Sequence, residues 1–154
     1  QVRTGQGGRP FRIVKFRSMS VNAESSGKAV WAVKNDPRVT SVGTFIRRTR
    51  IDELPQAFNV LMGSMSFVGP RPERPEFVQN LQRTIPFYDE RHFAKPGITG
   101  WAQVNGARGE TETIEKMQQR VDLDHQYIRE WSLWLDIKIL FRTIFVVISA
   151  KNAY

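Results

Sequence analysis

Apolar residues change their spacing several times along this chain, and each change marks an element. Residues 1–10, QVRTGQGGRP, are rich in glycine and close on Pro10, which predicts a loop. From Phe11 to Met19 the pattern alternates. Phe11 and Ile13 share one face with Lys15 and Arg17, and Arg12, Val14 and Phe16 share the other, which predicts a short strand carrying basic side chains. Residues 20–38 are polar and read as a loop, and VTSVGTFIRRT (39–49) as a turn entering a short helix. An apolar run then predicts a helix from Asp52 to about Met62, with Asp52 as N-cap, Pro55 in the first turn and Gly63 as the stop. SFVGPRPERPEF (66–77) holds Arg71 between two prolines whose rings fix the backbone, and a second helix follows from Arg74 to Arg83. KPGITGWAQVNG (95–106) reads as a glycine-rich loop around Trp101.

The most regular period runs from about 110 to 130. Ile114, Met117, Val121, Ile128 and Trp131 form a helical stripe, interrupted by the polar Asp124. Glu110, Glu112 and Glu115 occupy its first turns, where the helix dipole favours acids. The last helix, 132–150, is the most apolar stretch but carries Asp136, Lys138 and Arg142. Three charges near a bilayer centre cost roughly 9 kcal/mol together, and twelve large apolar residues return about 6, so a span is disfavoured. Its polar residues fall on two lines, Ser132, Asp136 and Thr143 on one and Lys138, Arg142 and Ser149 on the other. A helix divided this way has two apolar surfaces to bury, one facing the core and one facing lipid or a partner chain. A core helix in a soluble oligomer is the competing reading.

Together these elements predict a helix-dominated α+β fold, with a short basic strand or hairpin near the N-terminus and amphipathic helices. At 154 residues the chain is long enough for one domain with a real core. It begins at Gln1 without a signal-like apolar stretch, which suggests a fragment of a longer chain whose N-terminal part holds a membrane anchor.

Charge alters this picture. The net +8 is uneven: residues 1–50 carry eleven Lys/Arg against two Asp/Glu, and residues 51–154 carry twelve against thirteen. A basic first third suits an anionic partner such as nucleotide phosphate, lipid headgroups or nucleic acid, or is simply a solvated face. The basic residues are not interleaved with exposed aromatics and no nucleic-acid-binding motif is visible, which argues against nucleic acid. Absence of cysteine removes disulfides, thiolate metal sites and cysteine nucleophiles. No Gly-x-Ser-x-Gly elbow or Walker loop is present.

The candidate chemistry lies in RRTRIDELPQ (47–56). Asp52 and Glu53 follow three arginines, and both a helix start and nearby cations lower a carboxylate pKa. An ionised carboxylate there is a nucleophile, a Mg²⁺ ligand or simply a cap, and on the residues alone the cap is the default. Arg47 and Arg71 can offer planar forks to phosphate, with Lys15 and Arg17 adding charge. Arg48 and Arg50 read as surface or membrane-facing charges. His92 and His125 lack ligand spacing and read as structural or exposed. Tyr88 and Arg91 stay open between touching a ligand and packing, and Trp101 between stacking on a base and packing beneath its loop.

Four stretches in order, KFRSM (15–19), IDELPQAFNVLMGSMSFVGPRPE (51–73), KPGITGWAQVNG (95–106) and DLDHQYIREWSLWLDIKIL (122–140), resemble the bacterial sugar transferase family of monotopic phosphoglycosyl transferases. RGETETIEKM (108–117) and the final KNAY further resemble its glucose-type enzymes of exopolysaccharide and colanic-acid synthesis. The resemblance implies one catalytic domain over 1–154, lacking an upstream re-entrant membrane helix, on the cytoplasmic face of the inner membrane. It implies transfer of a sugar-1-phosphate, glucose-1-phosphate by the closer likeness, from a UDP-sugar to undecaprenyl phosphate with release of UMP. Asp52 then matches the nucleophile that forms an aspartyl intermediate, Glu53 its neighbour in holding Mg²⁺, and Lys15, Arg47 and Arg71 the phosphate-binding residues. A homo-oligomer stays open. Ser64 departs from the family's pattern, where many members carry Asp. The competing reading is a non-enzymatic basic module on an anionic membrane surface.

Overall fold

In the computed structural model, which describes residues 1–23, 30, 36–107 and 113–148, the chain is helix-dominated with two small sheets. The first residues are not the expected loop. Strands β1 (Val2–Thr4) and β2 (Pro10–Arg12) pair antiparallel, Arg3 opposite Phe11, around a 3-10 turn at Gln6–Gly8. The strand predicted for residues 11–19 therefore ends at Arg12. Beyond it the chain stays extended but is held by single contacts: Ile13 N–H donates to Gln1 O (2.9 Å), Val14 N–H to Asn59 Oδ1 (2.9 Å) and Phe16 N–H to Asp52 O (3.0 Å). A side chain and a turn carbonyl replace a strand partner.

Helix α1 (Ser41–Arg48) is capped by Thr40, whose hydroxyl accepts from Gly43 N–H at 2.9 Å. Gly43 is buried against the extended segment. A Cβ there would lie 1.8 Å from Ser18 O, so only glycine allows this approach. The helix expected over 52–62 is split. Ile51–Glu53 form a 3-10 turn, and α2 covers only Gln56–Leu61, because Pro55 cannot donate within a continuous helix. Asp52 is consequently not an N-cap; Pro55 holds that position, without a side-chain cap. Gly63 (φ 76°) ends α2 as its sequence position predicts.

Strand β3 (Ser66–Val68) leads through α3 (Pro75–Thr84) and a 3-10 turn at Tyr88–His92 to β4 (Gly97–Thr99), which pairs parallel to β3. The glycine-rich stretch expected to be a loop is thus this strand followed by a short helix, α4 (Trp101–Val104). Gly97 and Gly69 make that pairing possible, since a Cβ on Gly97 would lie 2.1 Å from Gly69 N. Helix α5 (Ile114–Glu130) is capped by Thr113, and Glu115 stands in its first turn. Glu110 and Glu112 lie outside the described residues.

α5 joins two apolar clusters. Its Met117 and Val121 pack with Val78, Ile85 and Tyr88, and its Tyr127 packs with Val68, Val104 and Ile139. Ile114 and Trp131, counted in the predicted stripe, are instead exposed, because they fall at the helix ends. The interrupting Asp124 is fully buried and paired.

Helix α6 (Leu133–Ile148) buries only Ile139 completely. Asp136, Thr143, Lys138 and Arg142 of its two polar lines border this inward stripe, and Ser149 lies outside the described residues. Asp136 accepts from Tyr127 Oη at 2.8 Å, Thr143 shares a 2.7 Å hydrogen bond with Thr99, and Lys138 and Arg142 lie over the Trp101 ring. Leu133, Trp134, Leu140, Phe141, Ile144, Phe145 and Ile148 form an apolar outer face. Among the described residues no helix is long and apolar enough to cross a membrane.

Candidate active site

Asp52 and Glu53 owe their position to a costly backbone. Arg50 adopts left-handed geometry (φ 62°), which costs a residue with a Cβ about 1–2 kcal/mol, and turns the chain into the Ile51–Glu53 turn. Both acids are buried, Asp52 to 8% exposure and Glu53 to 9%. Asp52 Oδ1 has no hydrogen-bond partner among the described residues. Glu53 Oε1 accepts from Arg71 Nη2 at 2.6 Å and from Arg50 Nη1 at 3.3 Å.

One cleft of about 150 Å³ collects all five residues singled out from the sequence: Lys15, Arg47, Asp52, Glu53 and Arg71. Lys15 arrives on the extended segment that Asn59 and the Asp52 carbonyl hold in place. Arg47 comes from the last turn of α1, with its Nε donating to Ser18 Oγ at 2.8 Å. Arg71 projects from between its prolines. Arg17 does not line the cleft.

Arg3, Arg50, Arg74 and Phe77 are among the lining residues that the sequence reading did not assign to the site. Arg50 is a correction, because it turns inward onto Glu53 and is not a surface charge; its left-handed backbone, which no sequence signal announced, turns it there. Arg74 lies 5.7 Å from the Phe77 ring centroid, over a residue pair that the sequence showed only as a helix start. Arg3 was hidden because residues 1–10 read as a loop, whereas it lies on β1. Asn59 was missed for a similar reason: its amide accepts from Val14 N–H and donates to Arg12 O (2.8 Å), a pairing 47 residues apart.

The electrostatics also differ from expectation. Burial, then the adjacent Glu53, raises the Asp52 pKa above the ordinary carboxylate value, with Arg50, Lys15 and Arg47 opposing. The expected lowering fails because Asp52 lies inside a desolvated turn and not at the end of a long helix. Desolvation by the cleft walls, then the charges of Arg3, Arg71 and Arg47, pushes Lys15 down to about 8, although part of its side chain stays open to solvent.

The other candidates fall elsewhere. Ser64 makes local hydrogen bonds with Asn59 and does not line the cleft. Trp101 packs between α5 and α6, its Nε1 donating to Gln126 at 3.0 Å. Arg91 is buried away from the cleft. His92 is buried within 3.5 Å of Asp89, and His125 is partly buried.

On the far side of Glu53 and Arg50 runs a second, apolar groove of about 300 Å³, walled by Leu54, Phe67, Ile98, Val104, Val146 and Val147. Glu53 and Arg50 thus line both a cation-rich cleft and an apolar channel, an arrangement suited to an amphipathic phosphate. Among the described residues no cluster of three metal-ligating side chains exists, so a cation here would rest on these two carboxylates together with oxygens from elsewhere.

A fold with this cleft belongs to a class already defined in known proteins: residues 1–150 match the family described as bacterial sugar transferase, and the chain belongs to it. Among its relatives is the UDP-glucose:undecaprenyl-phosphate glucose-1-phosphate transferase of Escherichia coli strain K12, 54% identical over the whole chain and 33% of that relative. The UDP-N-acetylgalactosamine-undecaprenyl-phosphate N-acetylgalactosaminephosphotransferase of Aeromonas hydrophila is 50% identical over 99% of this chain and 36% of its own length. A further glucose-1-phosphate transferase, from Caulobacter vibrioides, is 48% identical over the whole chain and 57% of its length. The chain thus spans about a third of the E. coli and Aeromonas relatives and over half of the Caulobacter one.

Proposed function

We propose that this chain carries out phosphoglycosyl transfer, moving a sugar-1-phosphate from a UDP-sugar to undecaprenyl phosphate and releasing UMP. The observation that carries this is Asp52, a buried carboxylate with one oxygen unpartnered, in a cleft that it lines together with Lys15, Arg47 and Arg71. Phosphoryl transfer depends on positioning and on neutralising charge, and the cleft is built from groups that do both.

In the first displacement, the Asp52 carboxylate attacks the β-phosphorus of the UDP-sugar. The bond from that phosphorus to the bridging oxygen breaks, and the oxygen leaves with UMP. A sugar-phosphoryl aspartate remains. In the second, an oxygen of undecaprenyl phosphate attacks the same phosphorus, the aspartyl bond breaks and the carboxylate returns. Two displacements let a soluble nucleotide and a lipid phosphate use one site in turn. Arg71 and Arg47 orient the equatorial phosphate oxygens, and Lys15 adds charge. The orphaned Asp52 oxygen beside Glu53 fits a hard cation, and Mg²⁺ held there would neutralise the diphosphate.

The acceptor's lipid end fits the apolar groove that begins at Glu53 and Arg50. The outer face of α6 and the exposed Phe58, Leu61 and Met62 of the α2 region suit contact with a membrane surface, on the cytoplasmic face of the inner membrane. Glucose is the proposed sugar, since relatives in four organisms are named for UDP-glucose.

UMP release is the test, measured with UDP-glucose and UDP-N-acetylgalactosamine, Mg²⁺ and undecaprenyl phosphate. Multiple-turnover release that requires a UDP-sugar, Mg²⁺ and undecaprenyl phosphate and is lost in Asp52→Ala supports the reading. Binding to anionic vesicles with no release from any UDP-sugar would favour a non-enzymatic module instead.

A further inference from the structure

Residues 69–73, which present Arg71, belong to no helix and join no strand, so their conformation depends on outside contacts. The backbone supplies three: Gly69 N–H donates to Thr99 O at 2.9 Å, Gly97 N–H to Pro70 O at 3.0 Å, and Thr4 N–H to Glu73 O at 2.8 Å. Buried charge supplies the rest. Arg91 Nη2 donates to the Arg71 carbonyl at 2.9 Å, and Arg120 Nη1 donates to Glu73 Oε1 at 2.8 Å.

Arg91 is itself fixed on every side. Its Nε and Nη2 both donate to Asp124 Oδ2, at 3.1 and 2.7 Å, and its Nη1 donates to Tyr88 Oη at 2.9 Å. The Arg91 and Asp124 side chains are 1% and 2% exposed. Asp124 and Arg120 lie one turn apart on α5, so a single helix anchors both ends of the Arg71 segment. A buried ion pair of this kind gains little over apolar side chains of equal volume. Its geometry does what apolar packing cannot: it holds a carbonyl at a fixed distance and direction.

We propose that Arg91, locked by Asp124 and Tyr88, is a positioning residue that sets the Arg71 guanidinium in the phosphate cleft through the Arg71 carbonyl. Arg91 touches no substrate. It rests on the reading above, in which Arg71 binds phosphate. Lysine at position 91 keeps the charge beside Asp124 but cannot reach Asp124, Tyr88 and the carbonyl together.

The experiment is a double-mutant cycle in the whole chain, read by calorimetric binding of inorganic pyrophosphate at fixed Mg²⁺. Arg71→Ala, Arg91→Lys and the double variant are compared, with a thermal melt on each. Arg91→Lys is expected to weaken binding about tenfold alone and not at all in the Arg71→Ala background. The Arg71 Nε–H resonance is expected to shift in Arg91→Lys while that of Arg47 stays. If Arg91→Lys does not fold, Tyr88→Phe removes one support of Arg91 and is expected to show a smaller loss, again absent without Arg71. Equal losses in both backgrounds would mean that Arg91 merely stabilises the fold, and would overturn the proposal. If Arg71→Ala alone left pyrophosphate binding unchanged, the phosphate role of Arg71 would fall, and the positioning role with it.

Discussion

Asp52 combines burial, an oxygen without a partner and a second carboxylate next in sequence. Each of these opposes ionisation, and its pKa stands above the ordinary carboxylate value. Between that ordinary value and the raised one, the folded chain binds more protons than the unfolded chain. Stability therefore falls as pH rises through this window, and at pH 7 the ionised side chain is a net cost. Asn keeps the shape and removes the charge. Asp52→Asn is expected to melt about 2–4 °C higher at pH 7, with the gap narrowing towards pH 4, while UMP release is lost. Thermal melts at the two pH values check this; an unchanged or lower melting temperature at pH 7 would speak against a charge held at a cost. The five residues singled out from the sequence could be named because their types and neighbours were distinctive. Arg50 could not be placed that way, since only its left-handed backbone turns it from the surface into the cleft.

At the scale of elements, local signals served well where they decide the structure alone. VTSVGTFIRRT does enter a short helix, α1, Gly63 ends α2, and the helix expected from Arg74 begins at Pro75. They served poorly where distant partners decide. Alternation over residues 11–19 suggested a strand, yet among the described residues no second strand accompanies residues 13–18, and Asn59 holds Val14 instead. The parallel β3–β4 pair was invisible for the same reason, because it depends on two glycine backbones meeting. Asn59→Ala would leave the Val14 amide and the Arg12 carbonyl without this partner beside a buried position, and is expected to cost about 2 kcal/mol in denaturant unfolding. Because Lys15 follows directly, pyrophosphate binding should weaken as well. A change in stability with unaltered binding would show that Lys15 does not depend on this anchor.

Across the whole molecule, charge and apolar surface are segregated. The first fifty residues hold most of the positive excess, and α6 turns an apolar face outward. Three charged positions in 132–150 argued against a span, and the structure gives them their use: Asp136 bonds Tyr127, while Lys138 and Arg142 cover Trp101. That division was legible because two polar lines on one helix leave two apolar strips between them. If the outer strip lies on lipid, Phe141→Asp and Phe145→Asp together should lower sedimentation with anionic vesicles at least fivefold, about 1 kcal/mol. Added salt should weaken binding of the parent chain further. Unchanged sedimentation of the double variant would assign membrane contact to some other surface.

The central claim is that Asp52 carries the sugar phosphate between donor and acceptor. Incubation with UDP-glucose labelled with phosphorus-32 in its β-phosphate and Mg²⁺, without acceptor, followed by acid quench and peptide mapping, tests it directly. The account predicts label on the peptide that contains Asp52, discharged when undecaprenyl phosphate is added and absent in Asp52→Ala. Full transfer to undecaprenyl phosphate by Asp52→Ala, or label on another residue, would contradict it.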